Sequence, residues 1–214
     1  MLFTDFVKHL PKIEKESLLS RDAHIKMAPL ERISYMDEAH YLDKKPKKAA
    51  VLMLFYPKNN STHLVLIVRN TYPGVHSSQI GFPGGKVELS DATLVETALR
   101  ETHEEVGIAP HQIQIIKTFS EIYIPPSNFL VAPFMGVAHQ ELTFIPDPKE
   151  VKKVLEFSVA DFLDEQTITK VTMSTSYATD IEVPAFQVDN YIVWGATAMM
   201  MSELKEVIKK AIAY

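Results

Sequence analysis

Two apolar runs set the first expectations. "AAVLMLFY" (49–56) and "HLVLIVRN" (63–70) flank the turn cluster "PKNNST" and read as neighbouring strands. The partly alternating "QIQIIKTFSEIYI" (112–124) predicts one more strand, and "NFLVAPFMGVAH" (128–139), after the turn "PPS", another. "KKVLEFSV" (152–159) reads as a short strand, with Ser158 placed to cap a helix over "VADFLDEQ". "ITKVTMSTS", "IEVPAFQV" and "YIVWG" supply the late strands, the last two meeting at the turn Asp189-Asn190. The chain ends on a helical pattern, "ATAMMMSELKEVIKKAIAY". Met199, Met200 and Met201 within it read as core packing, since soft side chains fill gaps, with a homodimer contact as the alternative. Residues 1–45 are expected to form an N-terminal extension packing on a domain of residues 46–214. A short amphipathic helix is expected in "MLFTDFVKHLPKIEKESL", then an irregular wrap over Met27 to Tyr41. The lysine run "DKKPKK" (43–48) reads as a solvated linker rather than a phosphate-contacting patch. These elements predict an α+β fold, a mixed β-sheet with two main helices.

The first main helix carries the candidate chemistry. Ser90 and Asp91 are N-cap residue types and Gly107 is a natural stop, so a helix is expected over about 92 to 106. At roughly 100° per residue, Leu94, Val95, Ala98, Leu99, Thr102 and Val106 share one arc. Glu101 and Glu105 fall along an edge of that arc and Glu104 just beyond it, whereas Glu96 and His103 point to solvent. Carboxylates at this spacing repel by a few tenths of a kcal/mol per pair (~0.2–0.5). They also stand at the end of the helix where the macrodipole disfavours negative charge. A divalent cation such as Mg²⁺ or Mn²⁺ among them removes both penalties. A solvated acidic patch paired with Arg100 or a lysine accounts for the spacing equally well. Upstream, Gly84-Gly85 lets a loop backbone approach that helix closely.

Composition narrows the classes. The 214 residues carry a net charge of −5, which gives no general drive toward nucleic acid or an anionic membrane. There is no cysteine, which excludes disulfide, zinc-thiolate and thiol-nucleophile chemistry. No apolar run approaches the roughly 20 residues that span a bilayer, and the N-terminus lacks a secretory pattern. A cytoplasmic location is expected.

The stretch "GFPGGKVELSDATLVETALRETHEEVGI" (81–108) resembles the Nudix box: a glycine, five residues, a glutamate, seven residues, then R-E-U-x-E-E-x-G-U, with U a bulky aliphatic residue. Here Gly85 is followed by five residues, Asp91, eight residues, then Arg100-Glu101-Thr102-His103-Glu104-Glu105-Val106-Gly107-Ile108. Thr102 stands at an aliphatic place, Asp91 replaces the glutamate, and one residue is added. The last two departures are similar to the coenzyme A pyrophosphatase subgroup, as is Phe82-Pro83-Gly84-Gly85. The subgroup's upstream signature is matched in part: Arg69 is correctly spaced from FPGG, while Asn70, Gly74 and Ser78 replace a small residue, an arginine and a glycine. "HSSQIGFPGG", with Gln79, and "YIVWGATA" are similar to further segments of such proteins. The resemblance covers roughly residues 48 to 205.

The resemblance implies a Nudix fold, an α/β/α sandwich with a mixed sheet. It also implies Mg²⁺- or Mn²⁺-dependent hydrolysis of coenzyme A or its thioesters to 3′,5′-ADP and 4′-phosphopantetheine. Other outcomes kept open are a hydrolase of ADP-ribose, NADH or a damaged nucleotide, and a catalytically silent nucleotide-sensing module. Glu101 and Glu105 are the implied main metal ligands, with Glu104 and the Gly85 carbonyl as additional ones. Glu104, another box glutamate or Glu150, from the loop before a late strand, is the implied general base. Arg100 is expected to orient a box glutamate. Arg69, Gln79, Gly84 and Ser127 are candidates for substrate contact, although Arg69 fits a strand-end ion pair as well and Ser127 an ordinary turn. His76 reads as a polar loop residue before a ligand, Trp194 as core before a stacking platform, and Asp91 as a helix cap rather than a metal ligand.

Overall fold

A computed structural model describes residues 1–70, 79–174 and 179–213. Gly74, His76 and Ser78, and the end of "ITKVTMSTS", lie outside the described residues. The N-terminal helix α1 (Phe3–Lys15) forms where Phe3, Phe6, Leu10 and Ile13 recur on one face, and that face is buried. A single turn, α2 (Arg21–His24), and a series of 3₁₀ turns between residues 25 and 44 make up the irregular wrap.

The central strand is β1 (Lys47–Lys58), joined to β2 (Ser61–Arg69) by a two-residue hairpin. Asn59 and Asn60 both take positive φ, at 48° and 64°, the conformation that a tight hairpin turn requires. The two strands pair only over residues 55–58 and 61–64. Beyond that they part, and the space between them holds β3 (Ile80–Gly81), paired to β2, and β4 (Gly84–Lys86), paired to β1. The diglycine thus sits within a splayed pair of strands. Gly84 has φ 149°, and a Cβ there would stand 2.3 Å from the Ala50 carbonyl oxygen, so only glycine fits.

Helix α3 (Leu94–Val106) follows, then β5 (Gln114–Thr118), β6 (Ile122–Ile124) and β7 (Phe129–Val137). The run 112–124 is therefore two strands, not one. Phe119 is buried between them, and Ser120 is drawn to a buried glutamate described below. Strand β7 runs parallel to β1, and β5 and β6 both pair with β7. Strand β8 (Val151–Ser158) covers the other edge of β2 and leads into α4 (Val159–Leu163), capped as expected by Ser158, whose hydroxyl accepts from the Asp161 N–H.

The late strands β9 (Ile168–Met173), β10 (Ile181–Val188) and β11 (Tyr191–Trp194) do not join the mixed sheet; they form a separate antiparallel sheet. It delivers the chain to α5 (Gly195–Ile212).

Alternation along β1 and β2 explains the layers. Leu52, Leu54, Val65 and Ile67 point to one face and pack with Ala98 and Val106 of α3. Met53, Phe55, Leu64 and Leu66 point to the other and pack with α1 and α5. The result is an α/β/α sandwich around a mixed sheet. Met199, Met200 and Met201 are buried in the α5 layer. Helix α5 also buries Glu203, which the sequence reading did not anticipate. Its carboxylate accepts from the Ser20 N–H (2.6 Å), the Ser120 N–H (3.0 Å) and the Ser120 hydroxyl (2.7 Å), with His24 Nε2 3.5 Å away. This ties the wrap and the β5–β6 turn to one helix. Among the described residues no helix is long and apolar enough to cross a membrane.

Candidate functional site

Helix α3 starts later than expected. Its N-cap is Thr93, whose side chain accepts from the Glu96 N–H, not Ser90 or Asp91. Asp91 has other partners. It receives Arg100 Nε at 2.8 Å and Nη2 at 3.0 Å, the Thr97 hydroxyl at 2.9 Å and the Glu88 N–H at 2.9 Å. The side chain of Asp91 is only 3% exposed. These bonds, Arg100 first, outweigh burial and hold its carboxyl well below the usual carboxylate range. Gly107 ends the helix as expected, at φ 78°, with its N–H on the His103 carbonyl.

Arg100 does more than cap this brace. Its Nη1 donates to Glu101 (3.1 Å) and Glu104 (2.9 Å), and its Nη2 also reaches the Lys86 carbonyl (3.1 Å). One guanidinium therefore fixes Asp91, two box glutamates and the diglycine loop together. The box glutamates differ sharply in surroundings. Glu104 has 57% of its side chain exposed, Glu101 is largely buried, and Glu105 has no exposed side-chain surface.

Glu105 faces the diglycine. Its Oε2 accepts from the Gly84 N–H at 2.8 Å. Arg69 Nη1 lies 3.0 Å from Oε1, yet Oε1 is buried and makes no hydrogen bond, because the N–H vectors of Arg69 do not point along that line. Arg69 instead donates Nη2 to the Gly84 carbonyl at 2.6 Å. Burial pushes the Glu105 carboxyl up to about 7, opposed by Arg69 and Gly84 and reinforced by Glu101 and Glu150. Burial also raises Glu101, against the pull of Arg100, with Glu104 and Glu150 adding to the rise. Glu150, just before β8, is thus electrostatically part of the cluster although exposed.

Gly85 completes the cradle. A Cβ there would stand 2.5 Å from the Glu101 carboxylate, so a side chain at this position would push that carboxylate from its place. Among the described residues, no three Asp, Glu or His side chains gather into a ready metal cage, since each box glutamate turns to a guanidinium or a backbone N–H. The donor set nevertheless suits a hard divalent cation. It offers carboxylate oxygens on one helix rim, the unbonded Oε1 of Glu105 and a backbone loop in contact with Glu101.

These groups open onto a cavity of about 790 Å³. Arg69, Gln79, Gly84, Gly85, Ser127 and Glu150 all line it, as do Glu101 and Glu104. Glu105 and Arg100 stand behind this wall. The Ser127 hydroxyl oxygen is buried without a hydrogen-bond partner. Trp194, read as core, is half-buried and forms cavity wall. Two cations escaped the sequence reading: Lys86, beside the diglycine, and Arg32, from the irregular wrap. Lys86 adjoins the motif and was within reach of it; nothing near Arg32 in the sequence marks it.

Comparison with known proteins places this geometry. A family model described as NUDIX domain matches residues 46–174. A protein of Enterobacter sp. (strain 638) described as an uncharacterized Nudix hydrolase NudL is 30% identical over 162 residues, covering 74% of this chain and 81% of its own length. Nudix hydrolase 22, chloroplastic, of Arabidopsis thaliana is 26% identical, over 91% of this chain and 66% of that protein. The crystal structure of a Nudix hydrolase from M. smegmatis, RenU, superposes with a TM-score of 0.52 at 17% identity, covering 77% of this chain and 87% of that one, a likeness of fold.

Proposed function

The chain belongs to the Nudix hydrolase family, whose members act on nucleoside diphosphate derivatives, and from that membership we propose that it hydrolyses the diphosphate of coenzyme A or its thioesters to 3′,5′-ADP and (acyl-)4′-phosphopantetheine. One observation carries the reading. The residue pattern that sets the coenzyme A subgroup apart, an aspartate and one added residue before the arginine, has a defined structural use here: Asp91 receives both Nε and Nη2 of Arg100. That bidentate bond accommodates the longer segment and still brings Glu101 and Glu104 onto the Arg100 fork. This pairing supports reading the departure as a variant of the general box rather than a broken one.

Glu101 and Glu105 would hold Mg²⁺ or Mn²⁺, with Glu104 and the Gly85 carbonyl as further ligands. Such a cation neutralises charge on the diphosphate and lowers the pKa of attacking water. Arg100 keeps Glu101 and Glu104 on one side of the cavity, so the carboxylates do not reorganise when substrate enters. Arg69, held by the Gly84 carbonyl, presents its remaining N–H donors to a phosphate. Gln79 and Ser127 border the same space, and Gly84 brings the loop backbone to it. Glu104 and Glu150, exposed and lining the cavity, are the two groups placed to accept the water's proton. Residues 1–45 serve as an extension packed on a catalytic domain of residues 46–214.

The deciding experiment supplies Mg²⁺ or Mn²⁺ with coenzyme A, ADP-ribose, NADH and dinucleoside polyphosphates, and resolves the products. Release of 3′,5′-ADP ahead of all others is expected. Turnover of another member alone overturns the coenzyme A assignment, and tight binding without turnover makes the protein a sensor. Glu104→Gln and Glu150→Gln then separate the bases: the variant that loses the acid limb of the kcat profile lacks the proton acceptor.

A further inference from the structure

Arg32 belongs to the segment before the family domain, yet it lines the same cavity as Glu101 and Glu104. It is only 4% exposed. Its Nη2 donates to the Tyr123 carbonyl at 3.0 Å, and Nη1 lies 4.0 Å from where a Cβ on Gly195 would stand. The guanidinium is therefore fixed against β6 and the start of α5. The cavity that it lines also carries apolar side chains, among them Ile124, Phe129, Trp194 and Met200. The acids that line the cavity, Glu88, Glu101, Glu104 and Glu150, come from the diglycine loop, α3 and the loop before β8, on the other side. The strand register gives the spacing. Gly85 pairs with Ala50, Ala50 with Ala132, and Leu130, two residues back along β7, with Tyr123. Three strand spacings of ~4.8 Å put about 14 Å between the two ends.

We propose that Arg32 forms a second anion subsite, which binds a phosphomonoester of the substrate while the carboxylate end holds the diphosphate. A nucleoside fits between them. A guanidinium carries five N–H donors in a planar fork that matches the oxygens of phosphate, and burial at 4% exposure strengthens that attraction. The Ser127 hydroxyl, buried without a partner and lining the same cavity, supplies a further donor. This proposal rests on the coenzyme A reading, in which the phosphomonoester is the 3′-phosphate, and it names Arg32 as the residue that distinguishes substrates with that group from those without.

The test uses binding as well as turnover. The native protein is titrated with 3′,5′-ADP and with 5′-AMP by calorimetry, and kcat and KM are measured for coenzyme A and its 3′-dephosphorylated form. Native protein is expected to bind 3′,5′-ADP at least ~10-fold more tightly. Arg32→Gln is expected to abolish that preference and to raise KM for coenzyme A roughly 30-fold, the scale for removing one partner of a buried charge pair. It should leave the dephosphorylated form within about twofold, with Arg32→Lys intermediate. Equal affinities in the native protein overturn the subsite, whether or not the variants fold. A variant that melts earlier but keeps the preference, or loses both substrates equally, shows Arg32 to be a structural tie and overturns it also. If coenzyme A is not turned over, the proposed function fails by itself, and the 3′,5′-ADP preference still decides the subsite.

Discussion

Replacing Glu105 by glutamine should separate stability from activity. The carboxyl has an ordinary value of 4.5 and is pushed up to about 7 in the folded protein, first of all by burial. Its stability contribution is therefore fully present below pH 4.5 and is lost as pH rises through about 7. The interval is roughly 2.5 decades of proton concentration, which at ~1.4 kcal/mol per decade makes the ionised form up to about 3.5 kcal/mol worse than the neutral one. Glutamine has the shape of the neutral acid and can still accept from the Gly84 N–H through its carbonyl. Glu105→Gln should thus match the native protein near pH 4.5 in denaturant titrations without metal, and exceed it by about 2–3 kcal/mol at pH 8.5. Activity should move the other way. Loss of the proposed charged metal ligand is expected to lower kcat by at least ~100-fold, or about 2.7 kcal/mol of barrier. Added Mn²⁺ should raise the melting temperature of the native protein and not of the variant. Native-like turnover by Glu105→Gln would sink the metal assignment. A variant less stable than native at every pH would refute the electrostatic account, showing that the contact with Arg69 outweighs the cost of burial.

Three further outcomes follow from the geometry. Gly85→Ala should fold, because the atoms its Cβ meets are the mobile end of Glu101, but should cost at least ~10-fold in kcat/KM by displacing that carboxylate; Gly84→Ala, meeting backbone at 2.3 Å, should fail to fold or melt far earlier in calorimetry. Thr93→Ala removes the N-cap of α3 and should cost ~1 kcal/mol, a fall in Tm of roughly 2–4 °C, with faster amide exchange at Glu96. Burial pushes the Glu203 carboxyl up, but the nearby His24 ring and hydrogen bonds from Ser120 outweigh it and hold the group below its ordinary 4.5, so its stabilisation is present above pH 4.5 and lost as pH falls further. Amide protection over residues 20–27, taken relative to the unstructured rate at the same pH, should fall between pH 5 and pH 3, and in Glu203→Ala, which orphans three donors, it should be low at both.

The sandwich was legible wherever local periodicity decides the outcome. The apolar runs of β1 and β2 mark two strands buried on both faces, the turn cluster with Asn59-Asn60 joins them, and the spacing of Glu101, Glu104 and Glu105 places three acids on one rim. What escaped depends on contacts distant in sequence. Asp91 is a good cap residue by type, but Arg100, nine positions on, draws it away and leaves the cap to Thr93. The break between β5 and β6 answers to Glu203, more than eighty positions later. Nothing local distinguishes strands that join the main sheet from strands that leave it, so the pattern alone does not separate β9, β10 and β11 from the mixed sheet. Arg32 had no signal at all, because its significance lies in the cavity that other segments build around it.

The splayed pairing of β1 and β2 also fixes an order of assembly. Hairpin formation from residue 55 to 64 is local and fast, but the half of β1 that supports Gly84 and Gly85 has its other edge on β7, beginning with Lys47 against Phe129, 82 positions away. Closing so long a loop is an entropic barrier that local contacts do not offset. The cradle for Glu101 and Glu105 thus matures only after β7 has docked, late in folding. During synthesis, a ribosome must release residues through about 137 before the diglycine loop has a floor.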